Sequence, residues 1–318
     1  MLCRLAGVPP YQGSTTPYAV AADAHFGPHE QHPAVAATRA LAREHGISYD
    51  APVELAAYLD RSLHPTRALA PLPLGLDPRW AGVDLDAYLR EVRRFAAASR
   101  FDAFYRSESG YRGAVEKALR DYLAGRQVVD WFDATFGRRR GASYRVVPGL
   151  LTGGFGFGRT ARQANGGLDV APVVFLESPD ERGVPHPSAL SLEHLVHELA
   201  HSYVNPIFDA RARSLRSSAL PLFRQVERAM RAQAYTSYQI MVNESVARAI
   251  TVLFLGERAT QEDARRSLDT QRKLSFFWTA ALVEALDAER SASSGRLEPA
   301  ALVRITRRVL SAWPRGQN

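Results

Sequence analysis

The chain has 318 residues, of which 46% are hydrophobic and 23% are charged, so it is long enough to bury a sizeable core. It contains no run of about 18 apolar residues, and a membrane-spanning segment is therefore not predicted. The single cysteine excludes an intrachain disulfide framework and a cysteine metal cluster. Any metal ligands are therefore expected among the His, Asp and Glu side chains.

The formal net charge is +7, a balance that is often found in nucleic-acid-binding proteins. Here nearly all the basic residues are Arg, which indicates a bias across the whole chain rather than a binding patch. No helix-turn-helix, zinc finger or aromatic platform accompanies them, and nucleic-acid binding is not predicted. The N-terminal segment is too short and interrupted for a signal peptide. We expect a cytoplasmic protein, or an exported one if a leader precedes Met1. No pattern indicates an oligomeric state.

Helical patterns dominate the first part of the chain, a small group of strands follows, and the rest is again helical. The predicted helices of the first part cover about residues 33–45, 52–63, 84–105, 110–124 and 127–136. Strand patterns cover about residues 144–148, 152–158 and 169–176. The later helices begin near residue 188 or 191 and continue at about 219–232, 234–256, 260–288 and 298–312.

This order of elements predicts an α+β fold that is mainly helical, with a small mixed β-sheet ahead of the helix that begins near Ser188. We expect an N-terminal helical region at residues 1–136 and a second region at 137–318. The two regions are predicted to form one compact unit.

The helix after the strands carries the sequence His197-Glu198-Leu199-Ala200-His201, an HExxH pattern. Two His residues one helical turn apart project to the same side and can bind one metal ion, and the Glu between them lies beside a metal-bound water. Leu195, Val196 and Leu199 supply the apolar stripe that such a helix needs. The pattern predicts a zinc site with Glu198 as the general base.

A catalytic zinc ion usually has three protein ligands, and no His follows His201 in the sequence. The third ligand is therefore predicted to be a carboxylate, and Glu244 lies in a helical, mostly apolar segment where a metal ion would compensate its charge. Arg248, one turn further on, could pair with Glu244 instead. Glu227 and His194 are the alternative ligands.

The two segments around these residues resemble the gluzincin metallopeptidases, in which a Glu on a downstream helix completes the zinc site. The segments are HELAHSYVNP at residues 197–206 and NESVARA at residues 243–249. More narrowly, the chain resembles a bacterial family known as domain of unknown function 4932 (DUF4932). Further similar stretches lie near the N-terminus and around Trp131, Gly153 and Met230.

The resemblance implies a zincin-like fold and a metallopeptidase that cleaves a peptide or protein substrate with a zinc-activated water. Gluzincins commonly use Tyr or His to stabilise the developing oxyanion, so Tyr235 and Tyr238 are the candidates here. Asn205 is predicted to cap the motif helix or to orient a ligand. The alternatives are hydrolysis of a non-peptide amide and a non-catalytic zinc-containing scaffold, in which a fourth protein ligand would close the site.

Overall fold

A computed structural model describes residues 1–73, 76–163, 166–177 and 179–313. Helices account for most of the described chain and five short strands for little of it, which confirms the predicted α+β class. By their contacts the residues form two compact units. Unit 1 comprises Met1–Ala124 with Gly141–Leu192, and unit 2 comprises Gly125–Arg140 with Glu193–Asn318. The domain boundary expected at residue 136 stays a prediction.

Among its described residues, unit 1 contains seven α-helices, two short 3-10 helices (Gly27–His29 and Pro78–Trp80), five strands and the first residues of a further α-helix. The helices are α1 (Leu2–Leu5), α2 (Pro17–Phe26), α3 (Pro33–His45), α4 (Ala51–Ala56), α5 (Leu85–Ala98), α6 (Phe101–Ser107) and α7 (Ser109–Leu123). The strands are β1 (Ala142–Tyr144), β2 (Val147–Pro148), β3 (Thr160–Arg162), β4 (Leu168–Val170) and β5 (Val173–Val174). In the three-stranded sheet β4 pairs with β1 in parallel and with β3 in antiparallel orientation, while β2 and β5 form a parallel pair. The predicted small mixed sheet is thus present.

Several elements of unit 1 differ from the sequence-based prediction. Helices α1 and α2 were not predicted, and the helix predicted over 52–63 ends at Ala56. The helix predicted over 84–105 ends at Ala98, because Arg100 adopts a positive φ of 51° that a right-handed helix does not accommodate. The strand predicted over 152–158 is wrong apart from a single bridge at Phe157. Gly153 has a φ of 62°, and a Cβ atom there would lie 2.1 Å from the carbonyl oxygen of Pro10. The glycine therefore serves a tight turn and a close backbone approach.

Unit 1 also contains a carboxylate in an unfavourable environment, Glu54 on α4. Its Oε2 atom is buried and accepts no hydrogen bond from the described residues. Burial, followed by the nearby charges of Asp50 and Asp77, raises the pKa of Glu54 to about 8. Arg79 pairs with both of these aspartates. The folded protein therefore favours the protonated form of Glu54.

We expect unit 1 to lose stability as the pH rises from 4.5, the ordinary value for Glu, through the raised pKa of about 8. In that interval the folded state holds a proton that the unfolded state has released. The free energy of unfolding of Glu54→Gln should exceed that of the wild type by about 1–2 kcal/mol near pH 9 and should equal it near pH 4. The expected difference is reduced because Glu54 is partly exposed. Urea unfolding at both pH values measures this, with the exposed Glu44→Gln as control. Equal stability of Glu54→Gln and the wild type near pH 9 would contradict it.

The described part of unit 2 is helical. Its helices are α8 (Val128–Phe136), most of α9 (Ala189–Asp209), α10 (Ala212–Ala232), α11 (Tyr238–Arg258), α12 (Gln261–Lys273), α13 (Thr279–Ala292) and α14 (Pro299–Ala312). The helix predicted over 260–288 is divided after Lys273, because Ser275 has a φ of 67°. Helix α11 packs against α10, α12 and α13. Nearly every residue from Met241 to Leu255 is buried, so α11 lies at the core of unit 2.

None of the helices in the described ranges combines the length and the apolar character that crossing a bilayer requires.

Candidate metal centre

Helix α9 places the two His residues of the HExxH sequence side by side. Leu195, Val196 and Leu199 on the same helix are buried, which fixes the rotation of α9 and leaves the imidazoles on a different, partly accessible face. The Nε2 atoms of His197 and His201 are 3.1 Å apart, and the rings meet edge to face. One ion can therefore contact both rings.

Helix α11 brings Glu244 to the same point. Its Oε1 lies 3.2 Å from Nε2 of His201, and its Oε2 lies 3.5 Å from Nε2 of His197. The potential ligand atoms of these three residues all lie within 4.8 Å of one another. Ligands bound tetrahedrally at zinc distances of about 2.0–2.2 Å are separated by about 3.3–3.6 Å. The residues therefore fit a zinc ion in both donor chemistry and spacing.

The charges within the group are strongly coupled. Burial alone would raise the pKa of Glu244, but the His201 and His197 imidazoles outweigh burial and hold this pKa well below its usual range. Burial alone would lower the pKa of His201, yet the charge of Glu244 and its hydrogen bond raise this pKa above the ordinary value. The site thus combines an anionic Glu244 carboxylate with a basic His201 imidazole, and a metal ion would replace the proton between these two groups.

Asn205 contacts one of the three residues that could hold a metal ion. Its Oδ1 lies 3.0 Å from Nδ1 of His201, so a neutral His201 donates through Nδ1 and presents the lone pair of Nε2 to the metal position. The prediction that Asn205 caps the helix is wrong, because α9 continues to Asp209. The alternative role, orientation of a ligand, agrees with this contact.

Glu198 lies on α9 between the two His residues, outside the group of three potential ligands. Its Oε1 is 3.6 Å from Nε2 of His194. Burial lowers the pKa of His194, which favours the neutral imidazole. The charge of Glu198 also acts on His201, so this carboxylate lies near the group that could hold a metal ion, and His194 contacts it.

The two candidate tyrosines occupy different environments. The Tyr235 hydroxyl accepts a hydrogen bond of 2.9 Å from Arg248, which also contacts Glu244. Burial, followed by the charge of Glu244, raises the pKa of Tyr235 to about 12, so the hydroxyl stays protonated at neutral pH. The Tyr238 hydroxyl instead points to the carbonyl oxygen of Ala212, at 3.4 Å. Only Tyr235 of the two is connected to the metal group by the hydrogen bonds of the described residues.

Two interpretations of Glu244 compete, one as a potential metal ligand and the other as the ion-pair partner of Arg248, and both correspond to observed contacts. Arg248 donates to Oε2 of Glu244 at 3.0 Å, while Oε1 faces His201. Glu227, the alternative ligand, forms an ion pair with Arg231 on α10. Sequence reasoning did not find Gln271 on α12, which accepts a hydrogen bond of 2.6 Å from Arg248. No sequence pattern distinguishes Gln271 from the other polar residues of α12.

The chain is thus an α+β protein with a group of two His and one Glu that could hold a metal ion. It belongs to the family described as Domain of unknown function (DUF4932), whose model matches residues 75–292. The matched range contains all three potential ligands together with Tyr235 and Arg248. No curated protein and no solved structure matches the chain. The resemblance to DUF4932 is confirmed, and the wider resemblance to gluzincins stays a prediction.

Proposed function

We propose that the protein is a zinc-dependent hydrolase of the gluzincin type, a metallopeptidase that cleaves peptide bonds in a peptide or protein substrate. The observation that carries the proposal is the convergence of His197, His201 and Glu244 within 4.8 Å. Two imidazoles and one carboxylate are a ligand set of catalytic zinc sites, which keep one position for water or substrate. The proposal includes a zincin-like fold around α9.

The side chains of the site have separate roles in this proposal. Zinc, when bound, supplies a Lewis acid for the scissile carbonyl and lowers the pKa of water. The Glu198 carboxylate accepts a proton from the attacking water and returns it to the leaving amine nitrogen. The Tyr235 hydroxyl donates a hydrogen bond to the oxygen on which negative charge develops. Asn205 keeps the His201 ring in the orientation that the metal requires.

Two features favour an enzyme over a structural zinc site. Structural zinc usually has four protein ligands, whereas the group found among the described residues comprises three. Glu198 also lies beside that group without belonging to it, and a structural site has no use for a general base. A non-catalytic scaffold remains as an outcome of the test.

We expect about one zinc ion per chain when the protein is purified without added metal and its metal content is determined by elemental analysis. The loaded protein should then cleave members of a peptide library, and a chelator should abolish the cleavage reversibly. Failure to hold or take up zinc at neutral pH would overturn the proposal. One zinc ion without cleavage of any peptide or simple amide would favour the scaffold.

A further inference from the structure

A series of buried polar groups connects α12 with the metal group. Ser267 is fully buried and donates to Glu193 at 2.6 Å, and Gln271 is 4% exposed and donates to Ser267 at 3.5 Å. The Oε1 atom of Gln271 accepts the bond from Nη1 of Arg248. Arg248 then contacts Glu244 through Nη2. Three helices, α9, α12 and α11, therefore contribute to one continuous hydrogen-bonded series.

Arg248 is the residue at which this series divides. Its Nη2 atom donates both to Oε2 of Glu244, at 3.0 Å, and to the Tyr235 hydroxyl, at 2.9 Å. The guanidinium carbon lies 4.5 Å from the centre of the Phe276 ring, and the side chain is 11% exposed. Gln271 and Phe276 thus fix the plane of the guanidinium. That plane determines where its two acceptors, Glu244 and Tyr235, lie.

We propose that Arg248, held in place by Gln271, is a positioning residue of the metal centre. Its Nη2 atom donates a hydrogen bond to Oε2 of Glu244 and so directs Oε1 towards the metal position. The same nitrogen holds the Tyr235 hydroxyl at the site. This inference rests on the proposed function, because it assumes that the three ligands bind a metal ion. It adds two residues, Arg248 and Gln271, to the residues assigned above.

The geometry requires the guanidinium and not only a positive charge. Arg has several donors in a planar fork, whereas Lys has one compact ammonium group on a flexible stem. A lysine at position 248 can neutralise Glu244, but it cannot contact Gln271, Glu244 and Tyr235 in the same fixed arrangement. Lysine therefore separates the effect of positioning from the effect of charge.

The test compares the zinc affinity of full-length variants by competition with a chromophoric chelator. Arg248→Met and Arg248→Lys should both bind zinc about 10–100-fold more weakly than the wild type, the usual range for loss of a group that orients a ligand. Gln271→Leu should weaken binding less, because Arg248 keeps its contact with Glu244. After substitution with Co²⁺, the visible absorption bands of the Arg248 variants should differ from those of the wild type, because these bands depend on ligand geometry.

Arg290 provides a matched control. It is also a buried arginine of unit 2, it pairs with Glu257, and its guanidinium carbon lies 4.8 Å from the centre of the Trp131 ring. Arg290→Met should lower the unfolding temperature as Arg248→Met does, but it should leave the zinc affinity and the Co²⁺ spectrum unchanged. A general loss of stability is thereby distinguished from loss of positioning.

Each contrary outcome has its own meaning. Wild-type affinity and an unchanged Co²⁺ spectrum in Arg248→Met would overturn the inference while the proposed metal site stands. Wild-type affinity in Arg248→Lys would show that charge suffices and would also overturn it. If Arg248→Met does not fold, an unchanged affinity and spectrum in Gln271→Leu would overturn it. A wild-type protein that binds no metal would instead refute the proposed function, and the inference with it.

Discussion

Replacement of Glu198 by Gln should lower the rate of hydrolysis by about 10²–10⁴-fold, the usual contribution of a general base. Gln has the shape of Glu but cannot accept the proton of the attacking water. Because Glu198 lies outside the group of potential ligands, the variant should keep one zinc ion with nearly unchanged affinity. The measurements are kcat and KM on a peptide found in the library screen, together with the zinc content.

Glu227→Gln is the control for this variant, because Glu227 pairs with Arg231 on the partly exposed side of α10. That substitution should leave both kcat and zinc content unchanged. Full activity in Glu198→Gln would contradict the role of Glu198 as base. Loss of zinc from Glu198→Gln would place Glu198 among the ligands instead.

Replacement of Glu244 by Gln should weaken zinc binding by more than about 100-fold, because loss of groups that merely orient ligands already costs about 10–100-fold. The amide keeps the size of the side chain, but it carries no charge for the metal. Chelator competition on the two variants Glu244→Gln and Glu227→Gln measures the effect, and only the first should be impaired.

The same substitution should also lower the free energy of unfolding of the metal-free protein. Arg248, His197 and His201 all face Glu244, and removal of one partner from a buried ion pair costs about 3–5 kcal/mol. Urea unfolding in the presence of a chelator should show a loss in this range. Zinc binding at wild-type strength would contradict Glu244 as a ligand, and His194, the remaining imidazole of α9, would be tested next.

Much of the metal group can be predicted from the sequence, because its parts follow from local spacing and simple exclusion. The positions of His197 and His201 one turn apart on a helix are sufficient to place both rings together. The absence of any later His, together with the apolar surroundings of Glu244, indicates the third residue. These arguments need no knowledge of how the helices pack.

The remaining features depend on tertiary packing or on short elements. Gln271 reaches Arg248 only because α12 packs against α11, and its own neighbours in the sequence give no sign of this. The strands contain two or three residues each, which is too short for a reliable alternation of apolar and polar side chains. The ends of α5 and α12 depend on the left-handed backbone conformations of Arg100 and Ser275, which follow them. Non-glycine residues seldom adopt such conformations, and the sequence does not indicate them.

The position of Glu244 on α11 has a consequence for how long the folded protein persists when zinc is scarce. Since α11 is the buried central helix of unit 2, unfolding of that unit would also dismantle the proposed zinc site. Zinc at about 100 times its dissociation constant would then add about 2.7 kcal/mol to the free energy of unfolding. A fall in the metal supply would enlarge the unfolded fraction that proteases degrade. If the protein binds zinc as proposed, its amount would therefore follow the supply of zinc around it, independently of the rate of its synthesis.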